Sequence, residues 1–222
     1  MNVLTLLRSV EELLYEVMSW LLFYPITFWR TLSRPLETMR YSDAEQRDKA
    51  ERQYLETLSP PLFLVLSILL AHGLELALGF QIAQGNNALG RLVSGNDQAL
   101  LGFRALIFSL PALLFACLAL RLQKRRIDRD SLRAPFFAQC YLSGATAIIV
   151  SLGFSGARLP GENTTIVGDV FVALATVWYL WVQWRWIKQE TALGPVKIYI
   201  LTAATFGFAM MVIGAAALLV AS

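Results

Sequence analysis

Histidine occurs once in this 222-residue chain and cysteine twice. A lone His72 excludes a polyhistidine metal centre, so no metal is expected. Cys117 and Cys140 are too few for a disulfide framework and stand in no metal-ligand spacing. They read as small buried hydrophobes. Also missing are a Gly-x-Ser-x-Gly elbow, a phosphate-cradling glycine loop with lysine, a His-Glu-x-x-His pair and a dinucleotide fingerprint. These absences weigh against an enzyme, and no cofactor is called for. Charge is scarce as well, at 16% of residues against 56% apolar. A soluble domain intersperses its charges; here they are segregated.

Five long apolar runs remain, at 61–80, 102–120, 133–154, 166–184 and 198–220. Each is about 20 residues, enough to cross a ~30 Å hydrocarbon core as a helix. Their apolar character is continuous rather than alternating, which excludes the strands of a membrane barrel. The fold class is therefore an all-α membrane protein with five transmembrane helices. Residues 1–58 form a cytoplasmic or interfacial part with amphipathic helices, and residues 59–222 form the transmembrane domain. The cations set the topology. Arg8, Arg30, Arg34, Arg40, Arg47, Lys49 and Arg52 precede the first run. Arg121, Lys124, Arg125, Arg126, Arg129 and Arg133 separate the second from the third. Arg185, Lys188 and Lys197 separate the fourth from the fifth. The other side holds Arg91, Arg104 and Arg158, completing the 19 cations. Positive charge stays cytoplasmic, so the N-terminus is expected inside and the C-terminus outside. The formal charge of +3 thus points to a lipid bilayer and not to nucleic acid. No cleavable signal is evident, and a bacterial inner membrane is the expected location.

The N-terminal segment is amphipathic. Val3, Val10 and Val17 recur every seven residues, in step with Leu6, Leu13 and Trp20 and with Leu7, Leu14 and Leu21. Arg8, Glu11, Glu12 and Glu16 take the other face. Such a helix can lie in the headgroup region or pair with a second copy. Trp20, Phe23, Tyr24, Phe28, Trp29, Arg30 and Arg34 follow, with Pro25 and Pro35 as expected breaks. They read as an aromatic-basic anchor at the membrane surface, with a packed elbow between helices as the alternative. Ser42-Asp-Ala-Glu45 resembles a capping box and predicts a solvated helix over 42–58. Pro60-Pro61 marks the start of the first span.

Ionisable groups inside spans are costly and therefore informative. His72 and Glu75 lie three apart on one face of the first span. Arg104 opens the second span and Asp169 the fourth, at similar expected depth towards the outer side. If these helices are neighbours, Glu75 and Arg104 can pair, with His72 and Asp169 nearby. This is a candidate transport or ion-pair site for a proton or small solute; snorkelling charges and one structural pair are the simpler account. Gln139, Tyr141, Ser143 and Thr146 on the third span, with Gly144, Gly207 and Gly214, read as helix-packing residues.

The cytoplasmic segment, the five closely spaced spans and the run 24–35 with its two prolines, aromatics and arginines together resemble the Yip1-type membrane proteins, including their bacterial relatives. The resemblance covers most of the chain. It implies an oligomerising membrane scaffold, partnered by copies of itself or by other membrane proteins, and implies no catalytic residue. The expected function is therefore a non-enzymatic scaffold, with a small transporter or channel as the alternative.

Overall fold

The computed structural model describes residues 3–49, 52–80 and 87–221. Among those residues there are eight helices and no strand: α1 (Val3–Ser33), α2 (Pro35–Glu45), α3 (Pro60–Ala77), α4 (Ala88–Ser94), α5 (Asp97–Leu122), α6 (Arg129–Ala157), α7 (Thr164–Glu190) and α8 (Pro195–Ala221). Of these, α3, α5, α6, α7 and α8 are long and apolar enough to cross a bilayer. This is the architecture of an integral membrane protein. Residues 81–86 of the long connection, including Gly85, lie outside the described residues.

The helix starts are written locally. Pro60 and Pro195 occupy the first turns of α3 and α8, where a missing N–H costs nothing. The Asn96 side chain accepts from the N–H groups of Gln98 and Ala99 to open α5. Asp128 and Ser131 form a reciprocal capping box at α6. Each span except α3 extends a few residues beyond its apolar run, because caps and turn geometry, rather than hydropathy, end a helix.

Two expectations in the N-terminal part fail. α1 runs through Pro25 without a break and stops only before Pro35. The helix expected over 42–58 does not form; α2 starts earlier, at Pro35, and ends at Glu45. Its end is set by tertiary bonds. The Glu45 carboxylate accepts from the Tyr54 N–H, and the Gln46 side chain donates to the Tyr54 hydroxyl. Ser42 is fully buried inside α2 instead of capping a helix. Tyr54 takes a left-handed backbone (φ 59°) to close this turn.

Contacts at the helix ends fix their directions. At one end Arg40 donates to Gln189 (2.9 Å) and Gln123 to Glu190 (2.6 Å), gathering α2, α5 and α7. At the opposite end the Asn87 amide donates to the Leu219 carbonyl, and the Arg158 guanidinium lies over the Phe80 ring. Consecutive spans therefore run antiparallel. α6 is central, packed by α3, α5 and α7 and touched by α1 and α2. Its apolar window is 61% buried inside the molecule, against 6% for α8.

Small residues permit the closest approaches. A Cβ on Gly144 would stand 2.8 Å from the Phe63 ring, and one on Gly168 would stand 2.6 Å from the Ala157 Cβ. Gly153 meets Gly168 backbone to backbone at the same α6–α7 crossing. A Cβ on Gly207 or Gly214 would meet nothing within 4 Å, so these two mediate no close packing among the described residues. Gly168→Ala is therefore expected to destabilise the folded chain by roughly 1–3 kcal/mol through overpacking, whereas Gly214→Ala, in open space inside a helix, does not lower the melting temperature in detergent. Equal melting temperatures for the two variants would contradict this packing.

Candidate functional site

Leu64, Ile68, Ala71, His72 and Glu75 form one buried stripe of α3. That stripe faces the bundle and carries His72 and Glu75 inward with it. Arg104, two turns into α5, reaches the same level. Its Nη2 donates to Glu75 Oε2 at 2.5 Å, and the two side chains are only 16% and 11% exposed. Away from water this pair is held by charge-assisted hydrogen bonding, and removing either partner strands the other charge. His72 is 7% exposed. Among the described residues neither of its ring nitrogens has a hydrogen-bond partner.

Asp169 is not brought to this pair. Gly168 packs on α6, and its neighbour Asp169 is turned ~100° around α7 and is exposed. The structure thus joins Glu75 and Arg104, keeps His72 on the same helix face, and leaves Asp169 apart.

The aromatic-basic run divides as well. Trp20, Phe23, Tyr24 and Phe28 pack against a cluster of Leu58, Phe63, Tyr141 and Ala145. The Tyr24 hydroxyl bonds Ser67 at 2.9 Å. The Tyr141 hydroxyl donates to the Leu58 carbonyl at 2.7 Å and meets the Thr57 hydroxyl at 2.9 Å. The Leu58 N–H in turn donates to the Thr27 hydroxyl. Arg30 lies 4.6 Å over the Tyr41 ring and 3.5 Å from Glu56. Trp29 is 71% exposed, and Arg34 pairs with Glu37 at the surface.

Sequence reading missed two polar groupings. The first is a reciprocal amide pair. Gln139 and Gln183 are both fully buried and exchange hydrogen bonds of 2.9 and 2.6 Å between α6 and α7. Two buried amides in apolar helices were the available signal, but neither sequence position names its partner. The second is a cavity of about 390 Å³ at the α2–α5–α7 end, lined in part by Asp43, Arg47, Gln123, Arg125 and Glu190. Cys140 is buried and Cys117 partly so, both as free thiols.

Comparison of the chain with protein-family models, with curated proteins and with solved structures finds no match.

Burial, and then the Glu190 charge, push the Asp43 carboxyl up from 3.8 to about 6, against the opposing pull of Arg47. The folded chain therefore holds this proton more tightly than the unfolded chain, and stability declines as pH rises from about 4 to about 6. Asp43→Asn is expected to be more stable than the native chain at about pH 7.5, by roughly 1 kcal/mol after solvent screening. The difference should vanish near pH 3.5. Thermal melts across that range check the sign.

Proposed function

We propose that the protein is a non-enzymatic scaffold of a bacterial inner membrane, with its N-terminus in the cytoplasm, that assembles by pairing α1 with α1 of a second copy. The observation that carries this reading is the free half of α1. Leu7, Val10, Leu13, Leu14, Val17, Met18 and Leu21 are 38–67% exposed, although they form the apolar side of an amphipathic helix. From Trp20 onward the same helix is anchored to the bundle. A rigid apolar arm thus leaves the body without a partner among the described residues.

Charge and heptad register favour a protein partner over lipid. Glu11, Glu12 and Glu16 on the polar side would be repelled by an anionic leaflet. Val10 and Val17 flank Leu13 in the seam. Branched side chains at one core position and leucine at the next favour parallel two-stranded pairing. Three heptads are marginal in free solution. Anchoring in one membrane enforces the parallel orientation and raises the effective concentration. The resemblance to Yip1-type proteins points in the same direction.

One observation favours a second reading. His72 presents two buried nitrogens without a partner among the described residues, on the same helix face as Glu75 of the Glu75–Arg104 pair, a place where a proton or small solute could bind.

The double variant Leu13→Asp/Leu14→Asp should convert a dimer in nanodiscs or mild detergent to a monomer, with helicity and melting temperature retained. Unchanged mass would sink the pairing model. For the second reading, liposomes carrying the native chain are tested for proton and solute flux between about pH 5.5 and 8. Flux that disappears in Glu75→Gln, in a chain that still folds, would replace the scaffold with a transporter. No flux under any gradient is the outcome expected here.

A further inference from the structure

Two hollows on the outside of the bundle share a wall. The first is a groove of about 470 Å³ between α5, α6 and α8, lined in part by Leu106, Leu110, Leu113 and Ile213 and also by Leu132 and Phe136. Ser109 is the one polar residue in its described lining, and that hydroxyl already donates to the Leu106 carbonyl. The groove therefore suits an alkyl chain. The second is a cavity of about 400 Å³ at the start of α6, lined by Arg129, Asp130, Leu132, Arg133, Phe136 and Phe137. Leu132 and Phe136 belong to both, so the apolar groove and the charged cavity meet at these two side chains.

Their depths match the two parts of a phospholipid. Arg129 opens α6, and Arg133 stands one turn further, where the apolar run of that span begins. The cavity therefore lies at headgroup level. The groove passes Leu110, ~18 Å along α5 from its Leu122 end at 1.5 Å per residue. Half of a ~30 Å hydrocarbon core is ~15 Å, so the groove reaches mid-bilayer.

The cations of the cavity are open. Arg30, Arg34 and Arg104 each close on a carboxylate. Arg129 and Arg133 enter no ion pair or hydrogen bond among the described residues, although Asp130 lines the same cavity. Being four apart on one helix, they stand side by side, with Cβ atoms ~5–6 Å from each other. The Arg133 guanidinium lies 5.4 Å over the Phe137 ring, which orients it. The positive end of the α6 dipole adds to their field.

We propose that the two hollows together bind one anionic phospholipid, with its phosphate on Arg129 and Arg133 and one acyl chain in the groove. Guanidinium groups match phosphate oxygens in charge and in geometry. A zwitterionic head would bring its own cation to two arginines, with Asp130 alone to offset it. A soluble phosphate would satisfy the arginines but leave the groove unused. This site is independent of pairing through α1.

The test strips the full chain of co-purified lipid in mild detergent and follows lipid binding by native mass spectrometry. Dioleoyl-phosphatidylglycerol and dioleoyl-phosphatidylcholine share both chains and differ in head charge. The first phosphatidylglycerol should bind roughly tenfold tighter than phosphatidylcholine, the scale expected of two cations acting on one anionic lipid. Arg129→Gln/Arg133→Gln should erase that preference and leave phosphatidylcholine binding as it was. Both side chains are exposed, so this variant keeps the native melting temperature. Arg185→Gln/Lys188→Gln removes the same charge from α7 at the same end of the bundle and should keep the preference. Ala216→Phe, which fills the groove and spares both arginines, should weaken the first phosphatidylglycerol about as much. Equal affinity of the native chain for the two lipids would overturn the site. So would a preference that survives without the arginines or falls equally in the α7 variant, since either means diffuse charge. Displacement of the lipid by glycerol phosphate, or normal binding to Ala216→Phe, would reduce the site to an anion cavity and overturn the role of the groove.

Discussion

Most of the packing in this molecule runs through α6. In hydrocarbon, helices are not driven together by burial of apolar area, since lipid is as apolar as leucine. They associate through close packing and a few polar bonds. α6 supplies both. Its small residues Gly144 and Gly153 admit Phe63 of α3 and the backbone of α7. Its Gln139 bonds Gln183 of α7. Its Tyr141 holds the chain just before α3 through the Leu58 carbonyl. α8 meets no such features and remains almost wholly on the outside of the bundle.

The Tyr141 hydroxyl also explains how a membrane helix and the N-terminal arm become one body. It bonds the segment that Thr27 of α1 also bonds. Tyr24, Phe63 and Tyr141 then form a run of rings at 5.2 and 5.8 Å from α1 through α3 to α6. The elbow is therefore fixed where α1 meets the bundle, and the half of α1 that precedes Trp20 projects from a rigid base.

The two intramembrane polar sites differ in kind. Glu75 and Arg104 satisfy each other, which accounts for two charges at a depth where neither could stand alone. His72, on the same face of α3, has no hydrogen-bond partner among the described residues. The same reasoning sets His72 apart from its neighbours on α3.

The amino-acid sequence alone determined the helical class, the five spans and the start of most of them. These are local properties. Twenty apolar residues at 1.5 Å each cross hydrocarbon whatever surrounds them; Pro60 and Pro195 stand in the first turns of their helices, and Asn96 and Asp128 cap theirs. The pairing of Glu75 with Arg104 was legible as a possibility, because both were costly charges at similar depth. Only the tertiary structure decided that Asp169 stays out, since Gly168 turns the neighbouring face of α7 towards α6. It alone decided that α1 passes through Pro25, that Glu45 ends α2 by binding the Tyr54 N–H, and that Gln139 finds Gln183. Those outcomes depend on which helix faces meet, and hydropathy along a chain carries no information about a residue's partner across a gap.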